Sequence, residues 1–88
     1  MKYLKRTINF NSKQSSKVLI EYFAVSDNDT VQVRHFTQEG EKSNFEITTY
    51  SSKVNHELKD AEEILEQEFV SAIQKASDII KARIYESH

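Results

Sequence analysis

The stretch that decides the fold is NHELKDAEEILEQEFVSAIQKASDIIKARIYE, residues 55–86. Spaced at about 100° per residue, Val54, Leu58, Ala61, Leu65, Phe69, Ala72, Ile73, Ala76, Ile79, Ile80 and Ile84 fall in one stripe. The segment holds neither Gly nor Pro and is rich in Ala, Leu, Glu, Lys and Gln, so propensity agrees with periodicity. Acids crowd its first half (Glu57, Asp60, Glu62, Glu63, Glu66, Glu68), and Lys75, Lys81 and Arg83 stand in the second. That order complements the helix dipole. The pattern predicts one long amphipathic helix over about 55–86, with Ser51, Ser52 or Asn55 as its N-cap. A bend or break near Asn55 to Asp60 is the alternative.

Upstream of this helix the periodicity changes from 3.6 to 2. Strands are expected over about 3–11, 17–26, 30–38 and 43–50. Asn11 to Ser16 is a polar loop, and Asp27-Asn28-Asp29 is a turn, because Asn and Asp bond their own backbone and tolerate left-handed geometry. The single Gly of the chain, Gly40, suits the left-handed position of a three-residue Gln38-Glu39-Gly40 turn. That turn would pair Val33 with Phe45 and Val31 with Ile47. The fold class that follows is α+β: a four-stranded antiparallel β-meander packed on one long C-terminal helix, a two-layer sandwich. Leu4, Ile8, Phe10, Val18, Ile20, Tyr22, Ala24, Val31, Val33, Phe45 and Ile47 are the expected helix-facing core.

Eighty-eight residues make one domain, 1–88. Hydrophobic residues are 38% and charged residues 30%, the composition of a soluble globular chain. No apolar run is long enough for a membrane span, and the basic N-terminus is not followed by the apolar segment of a signal peptide. With no Cys, a reducing, cytoplasmic location is the expectation. Residues 1–20 carry Lys2, Lys5, Arg6, Lys13 and Lys17 and no acid, although the whole chain is at -2. The acidic first half of the helix is their expected counterpart; a basic edge for an acidic partner is the alternative.

Two features point beyond a monomer. A helix of about 30 residues would span about 45 Å, whereas strands of about eight residues span about 27 Å. Its apolar end, with Ile79, Ile80 and Ile84, would overhang the sheet, which predicts a homodimer through those residues. Glu62 and Arg83 intrude on the stripe and would approach one another in such a dimer, unless Glu62 pairs with a base such as Arg6. The second feature is the sheet face turned away from the helix, on which strand parity places Tyr3, Lys5, Leu19, Phe23, Val25, Arg34, Phe36 and Tyr50. A solvated sheet face is normally polar. Aromatics interleaved with Arg and Lys compose interface cores and also single-strand nucleic-acid platforms.

Chemistry of other kinds is missing. His35, His56 and His88 form no ligand spacing, and no Cys supports them, so no metal and no cofactor is expected. No G-x-S-x-G elbow, glycine-rich phosphate loop or H-E-x-x-H occurs. Glu62, Glu63 and Glu66 have the pattern of a solvated helix face. The expectation is therefore a small non-enzymatic binding protein, an adaptor, inhibitor or accessory factor, with a protein partner at the outer sheet face. No membrane or small-molecule substrate is expected. The alternative is sequence-tolerant binding of single-stranded DNA or RNA on the same face. An acidic pI of 5.9 weighs against it.

Overall fold

The structure, a computed structural model, describes residues 1–11, 16–38, 44–51, 58 and 60–86. Strands β1 (Lys2–Asn11), β2 (Ser16–Val25), β3 (Asp29–Gln38) and β4 (Asn44–Ser51) are followed by a two-residue β5 (Glu62–Glu63) and helix α1 (Glu66–Glu86). The strands form one antiparallel sheet in the order β4-β3-β2-β1-β5. The helix packs on one face of this sheet, so the α+β meander-and-helix architecture is the one the sequence implies. Residues 12–15 and 39–43, among them Lys13 and, of the expected turn, Glu39 and Gly40, lie outside the described residues. So do Ser52, Val54, Asn55, His56, Glu57 and His88.

Local chemistry explains the tight turn between β2 and β3. The Ser26 N–H donates to the Asp29 carbonyl at 2.9 Å, and the Ser26 hydroxyl donates to the same carbonyl at 2.8 Å while accepting from the Asp29 N–H at 3.1 Å. Asp27 and Asn28 are thereby left at the tip, where their residue types are favoured.

Helix α1 is 21 residues long and starts at Glu66, not near Asn55. The chain turns at Asp60; Glu62 and Glu63 then pair with Lys5 and Leu4, and the Ile64 N–H donates to the Tyr3 carbonyl at 3.0 Å. The open edge of β1 offers this segment backbone partners that a helix would forgo. The stripe positions Leu58, Ala61 and Leu65 are therefore not helical, and Leu65 is exposed. Of the three expected caps, Ser51 ends β4. The first helical carbonyl belongs to Leu65, which accepts from the N–H groups of Glu68 and Phe69. Glu66 and Glu68 put negative charge in the first turn, where it suits the helix dipole.

The shorter helix also removes the length mismatch. Twenty-one residues span about 31 Å, and the ten-residue strands about 33 Å.

Register decides which side chains meet the helix. Tyr3 stands opposite Ala24, Lys5 opposite Tyr22, and Leu4 opposite Phe23. The odd residues of β1 thus share a face with the even residues of β2. The core beneath α1 is Ala24, Val33, Phe69 and Ala76, with Tyr3, Tyr22, Val31, Phe45, Ile47, Ile64 and Ile73 packed around it. Leu4, Ile8 and Phe10, expected in that core, fall on the opposite face. A change of one residue in pairing moves every side chain of a strand to the other side. Here the ionic match of Arg6 to Glu21 across the pair fixes the observed register.

Between β3 and β4 the pairing is Val33 with Ile47, His35 with Phe45 and Val31 with Thr49. It is displaced by two residues from the expected one, which leaves the faces unchanged. The helix runs diagonally. Near its start the Phe69 ring lies 5.5 Å from that of Tyr3 on β1, and near its end Arg83 Nη1 donates to Asn44 Oδ1 of β4 at 3.1 Å. Ala76 has no exposed surface and marks the close approach of helix to sheet.

Candidate interaction face

The face turned away from the helix is built in rows by cross-strand pairing. One row is Ile8, Leu19, Phe36 and Asn44; the next is Arg6, Glu21, Arg34 and Glu46; a third is Leu4, Phe23, Gln32 and Thr48. Phe10 and Lys17 extend the first end, while Lys2, Val25, Thr30 and Tyr50 close the other.

The centre of this face is Glu21, a carboxylate with 0% exposure. Its Oε1 accepts from Arg6 Nε at 2.9 Å and Arg6 Nη2 at 2.6 Å. Its Oε2 accepts from Arg34 Nε at 3.1 Å and from Gln32 Nε2. Burying a carboxylate away from water is costly unless it is paired and hydrogen-bonded in this way. The two cations, by contrast, keep part of their surface in water. Each guanidinium also lies over a ring, Arg6 5.5 Å from the centroid of Phe23 and Arg34 5.8 Å from that of Phe36. Glu21 thus locks two long side chains in place, and these in turn roof the aromatic surface.

Burial divides the face. Leu4, Leu19 and Phe23 are buried, Phe23 to 1% exposure. At the β1–β2 loop end, Phe10 is 51% and Phe36 38% exposed, flanking half-buried Ile8. Two rings, Ile8 and the Arg34 guanidinium therefore make an apolar patch with a fixed positive rim. Tyr50, at the far end, has its phenol pKa raised by burial and by the charge of Glu21, partly opposed by Arg6 and Arg34.

Of the eight residues expected here, Leu19, Phe23, Val25, Arg34, Phe36 and Tyr50 lie on this face. Tyr3 and Lys5 do not. Tyr3 packs on Phe69, and its phenol pKa is raised by desolvation and by the neighbouring Glu66 carboxylate. Lys5 Nζ lies 5.7 Å over the Tyr22 ring and its backbone pairs with Glu62. In their place the face gains Leu4, Arg6, Ile8 and Phe10. Sequence reasoning missed Glu21, and placed Gln32 on the side of Arg34 and Phe36 without giving it a role. The available signal was one acid in an apolar strand with an Arg at cross-strand reach on either side.

The other expected groupings are dispersed. Arg6 pairs with Glu21 across the β1–β2 ladder. Glu62 lies in β5 at the β1 edge, while Arg83 binds Asn44 at the other side of the sheet. Ile79 and Ile80 are half-buried and Ile84 is exposed. His35 faces the helix side as expected, stacked on Phe45 with centroids 4.2 Å apart and planes 6° apart. Its Nε2 is buried and lacks a hydrogen-bond partner among the described residues. Burial, then the charge of Lys75, lowers its pKa. Among the described residues no three His, Asp or Glu side chains group as a metal site, and no helix is long and apolar enough to cross a membrane. An open groove lined by Tyr22, Glu68, Ala72 and Lys75 runs along one flank of the helix.

No protein-family model, no curated protein and no solved structure matches the chain. The class defined by fold and face is a small α+β domain with an aromatic and arginine surface on the open side of its sheet.

Proposed function

We propose that the protein is a small non-enzymatic binding protein, an adaptor, inhibitor or accessory factor, that holds a protein partner against the outer face of its sheet. The observation that carries this is the exposed Phe10–Ile8–Phe36 patch beside guanidiniums fixed by a fully buried Glu21. Aromatic and Arg side chains held in one geometry lose little conformational freedom on binding, which is what the energetic centre of an interface requires. The Arg34 side chain, partly in water, favours a partner segment that carries a carboxylate next to an apolar side chain.

The second reading, binding of single-stranded nucleic acid, is favoured by Phe10 and Phe36 sharing the face with Lys17, Arg6 and Arg34. It is weakened by Lys5 standing on the helix side and by both arginines sharing their charge with Glu21. Affinity capture with wild type and Phe10→Asp/Phe36→Asp as parallel baits tests the proposal. A protein retained by wild type and by Gln74→Ala but lost with the double variant supports it. Identical capture by both baits refutes it.

A further inference from the structure

We propose that β4 is a self-pairing edge, and that two copies join β4 to β4 antiparallel into one continuous ten-stranded sheet. The two edges of the sheet differ. On the β1 side, β5 and the Ile64 N–H already occupy backbone groups of Tyr3, Leu4 and Lys5. On the other side β4 ends the strand order and has no further strand paired to it among the described residues.

Natural edge strands discourage pairing with Lys, Pro, bulges or shortness. Residues 44–51, NFEITTYS, form a regular eight-residue strand with no Lys and no Pro, and Glu46 is their sole charge. The sequence is instead rich in β-branched and aromatic residues suited to pairing.

The occupant is identified by self-complementarity. A two-fold axis perpendicular to the sheet makes the strands antiparallel and keeps each face on its own side. Centred on Ile47, it sets Ile47 against its copy, Phe45 against Thr49, Glu46 against Thr48 and Asn44 against Tyr50. No like charges meet. The helix-side row Lys5–Tyr22–Val33–Ile47 continues through the axis into the second copy.

The helix lies on one face of this sheet, with Ile73 in the cluster that holds Val31 and Ile47. Across the axis the two helices run antiparallel, each with its C-terminal end, where Arg83 reaches Asn44 of β4, nearest the seam. The outer faces stay open and adjacent, so the dimer would present two copies of the aromatic and arginine patch on one surface.

The test is mass by light scattering at tens of micromolar, with two variants. Wild type should show twice the 10.3 kDa of one chain. Thr49→Lys changes a residue exposed in the single chain but puts on the β4 edge the residue type by which natural edge strands discourage pairing. It should raise the dimer dissociation constant by about tenfold or more with the circular dichroism of the fold retained. The chain has no Cys, so Ile47→Cys introduces a unique thiol at the axis, and oxidation should yield a disulfide-linked dimer. Thr7→Cys on the β1 edge should not. A single-chain mass for wild type overturns the proposal, as does a dimer unaffected by Thr49→Lys that fails to cross-link through residue 47.

Discussion

Removing both arginines from the outer face should cost more stability than removing the carboxylate they share. The contrast follows from burial: Glu21 has no exposed surface, while Arg6 and Arg34 are partly in water. In Arg6→Met/Arg34→Met the apolar stems over Phe23 and Phe36 are largely kept, so the change is mainly ionic. Oε1 then loses both contacts from Arg6 and Oε2 keeps only Gln32. An anion left buried with one neutral donor costs about 3–5 kcal/mol. Arg34→Met alone removes one contact and leaves three, for a loss of about 1 kcal/mol. In Glu21→Gln the guanidiniums turn to solvent, the amide oxygen accepts from Gln32 and the amide N–H2 is left as a buried donor without an acceptor, so the loss is about 1–3 kcal/mol. Urea unfolding followed by circular dichroism measures all three. A Glu21→Gln variant less stable than the double arginine variant would refute this account of the cluster.

Other substitutions probe separate links. Phe23→Ala empties a site of 1% exposure and should cost about 3–5 kcal/mol in the same assay, whereas Phe36→Ala should cost under about 1 kcal/mol. His35 is held neutral by burial and by Lys75. Below its ordinary pKa the unfolded chain therefore binds a proton that the folded chain does not. Stability should fall as pH drops through about 6.5 and level off below the folded pKa, and His35→Phe should flatten that slope. Ala76→Leu should destabilise by about 1–3 kcal/mol, because the helix meets the sheet there with no exposed surface to spare.

Much of the fold is legible because two different periodicities occupy two different parts of the chain. Strand ends fall within one residue of those expected, since the polar runs at residues 12–15 and 27–28 separate apolar alternation cleanly. The face assignment of β1 was not legible from its own residues. Leu4, Ile8 and Phe10 are more apolar than Tyr3, Lys5 and Thr7, and hydrophobicity alone sends them to the core. The deciding interaction lies between strands, in Arg6 reaching Glu21, and a pattern read along one strand does not contain it. The helix start is not legible for a related reason. Residues 58–65 have helical periodicity, yet the β1 edge offers Glu62, Glu63 and Ile64 tertiary hydrogen bonds, and tertiary pairing outweighs propensity over so short a segment. Phe23, Arg34 and Phe36 are legible as residues on the strand side turned from the helix, but Glu21, which pairs with both arginines there, is hidden as one acid in an apolar run.

In the proposed function the Phe10–Phe36 end of the outer face meets a protein. The most direct measurement is a titration of the captured protein, once purified, against wild type and Phe10→Asp/Phe36→Asp at low and moderate salt. The double variant should lose at least about 2 kcal/mol, some thirtyfold in Kd, and salt should change wild-type affinity little. Unchanged affinity in the variant would contradict the claim. Saturable binding of a 20-nucleotide single strand that weakens steeply with salt and is lost in the same variant would transfer the face to nucleic acid.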